Sequence, residues 1–147
     1  MVMTSKSPLV PLQKALVARL GGDSALTALL GAPGRVVDQV AERATKPYVR
    51  VGEHLSIPDN DHGGFGREVT ETIHVWTQAR SNGPGQLIAD RIAELLDHQV
   101  EALNALLVPQ GHRVVSIRDE FDQALTDPDP EIRHHVLRFR IQTEQLA

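Results

Sequence analysis

The chain has 147 residues, no cysteine and a formal charge of -4. That length favours one domain able to bury roughly 70% of the surface its unfolded chain exposes, while the missing cysteines exclude disulfides, thiol redox chemistry and Cys-based metal sites and fit a reducing compartment. Weak acidity with three Phe, one Trp and one Tyr argues against a nucleic-acid binder built on basic patches and stacked bases, and the lack of any apolar run near ~18 residues argues against a membrane span or a secretory leader.

The elements read in order as follows. Leu12, Leu16, Val17 and Leu20 keep helical spacing behind Pro11, and Gly21-Gly22 stops that helix. Asp23 is the expected N-cap of a short helix from Ser24 to Leu30, with Leu26, Leu29 and Leu30 on one side and Gly31, Pro33 and Gly34 closing it. Arg35 to Val40 reads as brief extended chain. From Lys46 to Ile57 the residues alternate, placing Val49, Val51, Leu55 and Ile57 on one face of a strand. The loop PDNDHGGFG, too long and glycine-rich for a tight turn, projects from the sheet and leads to a second strand, GREVTETIHVWTQAR, Gly66 to Arg80. There the odd positions hold Val69, Ile73 and Val75, and the even positions Thr70, Thr72, His74 and Trp76, so both faces carry something to bury.

SNGPG opens the clearest helix, with Leu87, Ile88, Ile92, Leu95 and Leu96 in phase. Its pattern leaves open whether it breaks near Asp97 or runs on to Leu107, before Pro109 and Gly111 end it. Two strands follow, one with Val115, Ile117 and Phe121 in step and one from Arg133 to Thr143 with His135, Leu137, Phe139 and Ile141 in step, joined by the turn TDPDPE. A helix between two hairpins predicts an α+β fold, a mostly antiparallel sheet of about four strands with helices packed on one face, as a single domain over residues 1–147.

Seven histidines raise the question of a metal, yet none has a helical ligand spacing. His134 and His135 are strand neighbours and leave opposite faces, and a hairpin centred near Asp61 would set His54 opposite Val69, about 17 Å along the sheet from His74. DNDHGG has the acids and glycine of a calcium loop's start, but Gly63 and Thr70 stand where further ligands are needed. The carboxylates Asp119, Glu120, Asp122, Asp127, Asp129 and Glu131 suit strand ends and turns, and neither a phosphate loop nor a nucleophile elbow occurs. The expectation is no catalytic site, no metal and no cofactor. On the sheet's second face Tyr48 and Trp76 fall within cross-strand reach as a packing pair beside His74.

PLQKALVARLGGDSALTALLGA, KPYVRVGE, REVTETIHVWTQAR, GHRVVSIR and IRHHVLRFRIQ, in this order over nearly the whole chain, resemble the tail completion, or tail terminator, proteins of long-tailed phages and phage-like gene transfer agents. The resemblance implies a structural virion protein at the head–tail junction, assembled in the host cytoplasm. It would form a homo-oligomeric ring, a hexamer in the family, on the last ring of the major tail tube protein, end tube growth and dock to a head–tail connector protein. DNA would pass through the lumen without specific binding, and no membrane would be involved. Apolar residues on the second face would then serve neighbouring subunits, and Asp59, Asn60, Asp61, His62 and Arg67 of the loop would meet a neighbour or the lumen. The segment DHQVEALNALLVPQ exceeds the family's helix-to-strand connection and offers room for an added contact. Rival readings are another neck component, a free-standing cytoplasmic binding module, or a metal-dependent enzyme, which would require a convergent polar pocket.

Overall fold

A computed structural model describes residues 3–147. Helix α1 (Leu9–Gly21) turns Leu12, Ala15, Leu16 and Leu20 inward. Helix α2 (Ser24–Leu30) begins where the Asp23 carboxylate accepts the Leu26 N–H at 2.8 Å and ends at Gly31, whose φ of 86° is the left-handed conformation that glycine adopts without strain. Leu26 and Leu30 are buried while Leu29 turns outward.

Five strands form one sheet in the order β1-β2-β3-β5-β4. They are β1 (Val36–Val37), β2 (Tyr48–Pro58), β3 (Gly66–Gln78), β4 (His112–Thr126) and β5 (Ile132–Gln145). The four long strands are antiparallel, and two-residue β1 adds a fifth, parallel to β2 at Val49 and Arg50. Helices α3 (Gly83–Leu96) and α4 (Val100–Leu107) carry the chain from β3 to the far edge strand β4. The fold is therefore the expected α+β class.

The core lies between the helices and one face of the sheet. Along β5 the residues His135, Leu137, Phe139, Ile141 and Thr143 are buried, and along β3 Val69, Glu71, Ile73, Val75 and Thr77. Ile88, Ile92, Leu95 and Leu96 of α3 and Leu103 and Leu107 of α4 close over them, whereas Leu87 stands outside. Gly85 lets α3 approach the sheet, because a β-carbon there would lie 2.4 Å from the His135 ring. Arg91 of α3 grips Asp23 with two hydrogen bonds of 2.9 and 2.8 Å, holding that carboxyl down at about 2 and tying α3 to the start of α2.

The structure corrects several expectations. One extra residue in β2 between Val51 and His54 shifts the ladder, so Leu55 and Ile57 face away from the core that holds Val49 and Val51. Gly52, at φ 120°, accommodates that bulge. Two bulges in β4, at Val115 and Glu120, likewise leave Val114 and Ile117 inside while Val115 and Phe121 leave the core row. The helix after Gly83 does break, between Leu96 and Val100. There the His98 N–H donates to the Ile117 carbonyl at 3.0 Å, and Asp97 accepts the Asp119 N–H at 2.9 Å. The segment Asp97 to Gln110 buries Leu103 and Leu107 in the subunit's own core, leaving Leu106 and Val108 exposed.

Candidate functional site

Among the described residues no helix covers the opposite face of the sheet, and the ladder lines up its side chains in rows. One row crosses all four long strands through Tyr48, Trp76, His134 and Leu125, and the next through Arg50, His74, Val136 and Gln123. Tyr48 thus lies directly opposite Trp76. The Trp76 and His134 rings stack with centroids 3.8 Å apart and planes 7° from parallel, and His74 follows at 5.0 Å from His134.

His74 Nδ1 and His134 Nε2 are 2.8 Å apart and share one proton, while His74 Nε2 meets the Glu53 carboxylate at 3.2 Å. The β2 bulge brings Glu53 to this position. Burial under neighbouring rings pushes His134 down to about 4, helped by His74 and His135, and also lowers His74 despite the opposing pull of Glu53. Burial raises the Tyr48 phenol. The cluster of Tyr48, Trp76, His134 and His74 is therefore an uncharged aromatic and imidazole strip within this face, with the Glu53 carboxylate and Arg50 beside it. It can stack, share a proton and pack against an apolar surface.

The proximate histidine pair is His74 with His134, rather than His54 with His74 or His134 with His135. His134 and His135 do leave opposite faces, and His54 lies opposite Glu71 rather than Val69 because the hairpin turn is centred at His62 and Gly63, not near Asp61. Among the described residues no group of three or more His, Asp or Glu side chains is placed to hold a metal ion, and no helix is long and apolar enough to cross a membrane.

The loop between β2 and β3 is a short extension of that hairpin. Asp59 N–H donates to the Gly66 carbonyl at 2.9 Å, and Asp61 and Gly64 form a bridge around His62 and Gly63, so the turn is centred there rather than near Asp61. Asn60 accepts the Gly66 N–H at 3.1 Å and Asp61 the Gly63 N–H at 2.7 Å, which organises this polar segment. Gln145 N–H donates to the Phe65 carbonyl at 2.8 Å, pinning the loop base to β5. Arg67 reaches Ser56, with His62 at the exposed tip.

Glu71 was missed. It sits in the middle of the buried row of β3, fully shielded from solvent, with Oε1 unpartnered and Oε2 3.8 Å from His54. Burial pushes its carboxyl up to about 8, so it is largely protonated at neutral pH. A charged residue in step with Val69, Ile73 and Val75 was the available signal.

These features define a small α+β subunit with one face finished by helices and one left open. The family model described as tail completion protein gp17 matches residues 14–144, and the chain belongs to that family. A chain in the solved structure described as the virion of a native gene transfer agent particle has the same fold, with a TM-score of 0.81 at 25% identity over 95% of this chain and 99% of that one. No curated protein sequence matches the chain. The protein is thus a structural component of a phage-type tail in a virion or virion-like particle, in contact with other virion proteins, and not an enzyme.

Proposed function

We propose that the chain, acting as one domain over residues 1–147, forms a homo-oligomeric ring, a hexamer by family analogy, that caps the tail tube. The ring ends tube elongation and presents the surface to which a head–tail connector protein docks, placing it at the head–tail junction. The mechanism is geometric. Subunits joined head-to-tail close into a ring whose outer side no longer matches an incoming tube subunit. DNA passes through the lumen unread, in keeping with a chain of net charge -4.

The observation that carries this reading is the helix-free sheet face in a member of a tail completion family. Tyr48, His74 and Trp76 are half-buried there, and Leu55 and Ile57 are more than half exposed. A face of this kind gains by being covered. The loop residues Asp59, Asn60, Asp61 and His62, with Arg67 not in the loop but in β3 opposite Thr143, stand beside β5's end and are assigned to a neighbouring subunit or the lumen. They add almost no apolar area to their own subunit.

The test replaces Pro58 to Gly66 by an Asn-Gly turn and compares subunit melting, ring formation by electron microscopy, and tail length. The expected result is a folded subunit with weakened rings or overlong tails. Normal rings on tails of normal length would refute the loop's role, and a wild-type protein that neither forms rings nor occurs at the end of the tube would refute the capping reading itself.

A further inference from the structure

Both faces of edge strand β4 carry crowded like charge at the same level, of opposite sign. On the bare face Arg118 lies directly opposite Arg140 in the β4–β5 ladder, with Arg138 on the same side opposite Phe121. Like charges directly opposite one another destabilise a sheet. Arg140 pairs with Glu68 and Glu120, but Arg118 and Arg138 form no ion pair among the described residues, and the Arg138 guanidinium rests 4.7 Å from the centroid of the Phe121 ring.

On the helix side of the same strand the sign reverses. Asp119 and Asp122 sit opposite Phe139 and Leu137 of the core row, beside Asp90 on α3. Asp90, Asp119 and Asp122 form no ion pair with a Lys or Arg among the described residues. A neutral amide, Gln86 Nε2, donates to Asp90 at 2.8 Å and to Asp122 at 3.2 Å. Burial chiefly, and to a lesser degree the neighbouring Asp122 and Asp97, raise the Asp119 carboxyl above its ordinary value.

We propose that the basic patch of Arg118 and Arg138 on one subunit docks on the acidic patch of Asp90, Asp119 and Asp122 of the next copy, a front-to-back contact between neighbours. The inference rests on the ring reading and names the surfaces that join it. A second copy is favoured over DNA because phosphates would satisfy the arginines alone, whereas a copy relieves both patches at once. Patches on opposite faces of one strand give a heterologous contact, the kind that closes a ring. Arginine paired with carboxylate supplies charge-assisted hydrogen bonds that fix its register.

The experiment uses two full-length variants, Arg118→Glu with Arg138→Glu, acidic on both faces, and Asp90→Arg with Asp122→Arg, basic on both. Circular dichroism and melting check that each folds, and the neutral substitutions Arg→Gln and Asp→Asn at these positions replace any that does not. Assembly is read by mass photometry and electron microscopy over a salt series. We expect wild-type rings, at least a tenfold loss of assembled protein for each charge-reversed variant alone (for neutral substitutions, a weakening that high salt mimics in the wild type), and recovery on mixing the two reversed variants, with both chains in each ring. Rings from either reversed variant alone, or no recovery on mixing, overturn the contact while leaving the ring reading intact. A wild-type chain that stays monomeric and is also absent from the end of the tube overturns both. Loss of binding to a short DNA duplex in the arginine variant, with its rings unchanged, reassigns the basic patch to DNA.

Discussion

The two faces of strand β5 differ by a single step along the chain. His135, Leu137, Phe139 and Ile141 are buried beneath helices, while His134, Val136, Arg138 and Arg140 face outward from the same backbone. The covered row is aliphatic and aromatic, so it stabilises the subunit through area removed from water. The open row holds one imidazole, two arginines and one valine, groups that tolerate solvent yet retain surface for a partner. On the proposed assembly one strand would serve folding and association at once, and a substitution's effect should depend on the parity of its position.

Phe139→Ala should sharpen that contrast most. Its side chain is fully buried, and removal should cost about 3–5 kcal/mol in denaturant unfolding, against well under this for Val136→Ala three residues away. A cost below ~1 kcal/mol for Phe139→Ala would mean that the covered face is not the core.

Glu71 breaks the pattern from within, as the one acid in the covered row of β3. Its folded pKa is raised from 4.5 to about 8, so its contribution to stability is full below the unfolded value and is lost as pH rises from 4.5 through about 8. Glu71→Gln should thus change little at pH 4 and stabilise by on the order of 3 kcal/mol near pH 7. Melting curves across that range test the sign, and equal effects at both ends would contradict it.

Gly85→Ala should cost about 2 kcal/mol through overpacking, because the new methyl must displace the His135 ring. His135→Ala in the same chain should remove most of that penalty. A double-mutant cycle with no coupling would show that the helix shifts instead.

The smallest effect belongs to the open face. Trp76→Ala should cost the isolated subunit about 1 kcal/mol, the scale of a lost ring stack. His134 and His74 are depressed in the fold, so their contribution is present above the unfolded value of 6.5 and is lost as pH falls toward about 4. His134→Gln should flatten the acid side of the melting profile.

Much of the covered face was legible because alternation in β5 and the spacing of α1 and α3 each report a single buried side. Asp23 before Ser24 was readable as a cap for a local reason. The misreadings arose where an extra residue changed the phase: counting by twos past Gly52 put Leu55 and Ile57 inside, and counting past Val115 and Glu120 did the same for Phe121. The end of α3 depended on hydrogen bonds from His98 and Asp97 to a strand some twenty residues later. On the open face, Tyr48 and Trp76 could be paired because they share a hairpin. His74 and His134 could not, because β3 and β5 are neighbours only through the strand order.

The claim that the open face exists for assembly is tested most directly by hydroxyl-radical footprinting of Trp76 in the free subunit and in purified assembled particles. Trp76 should label readily in the free subunit and several-fold less in the particle, with Phe139 protected in both. Equal Trp76 labelling in the two states would show that nothing covers this face and would contradict the account.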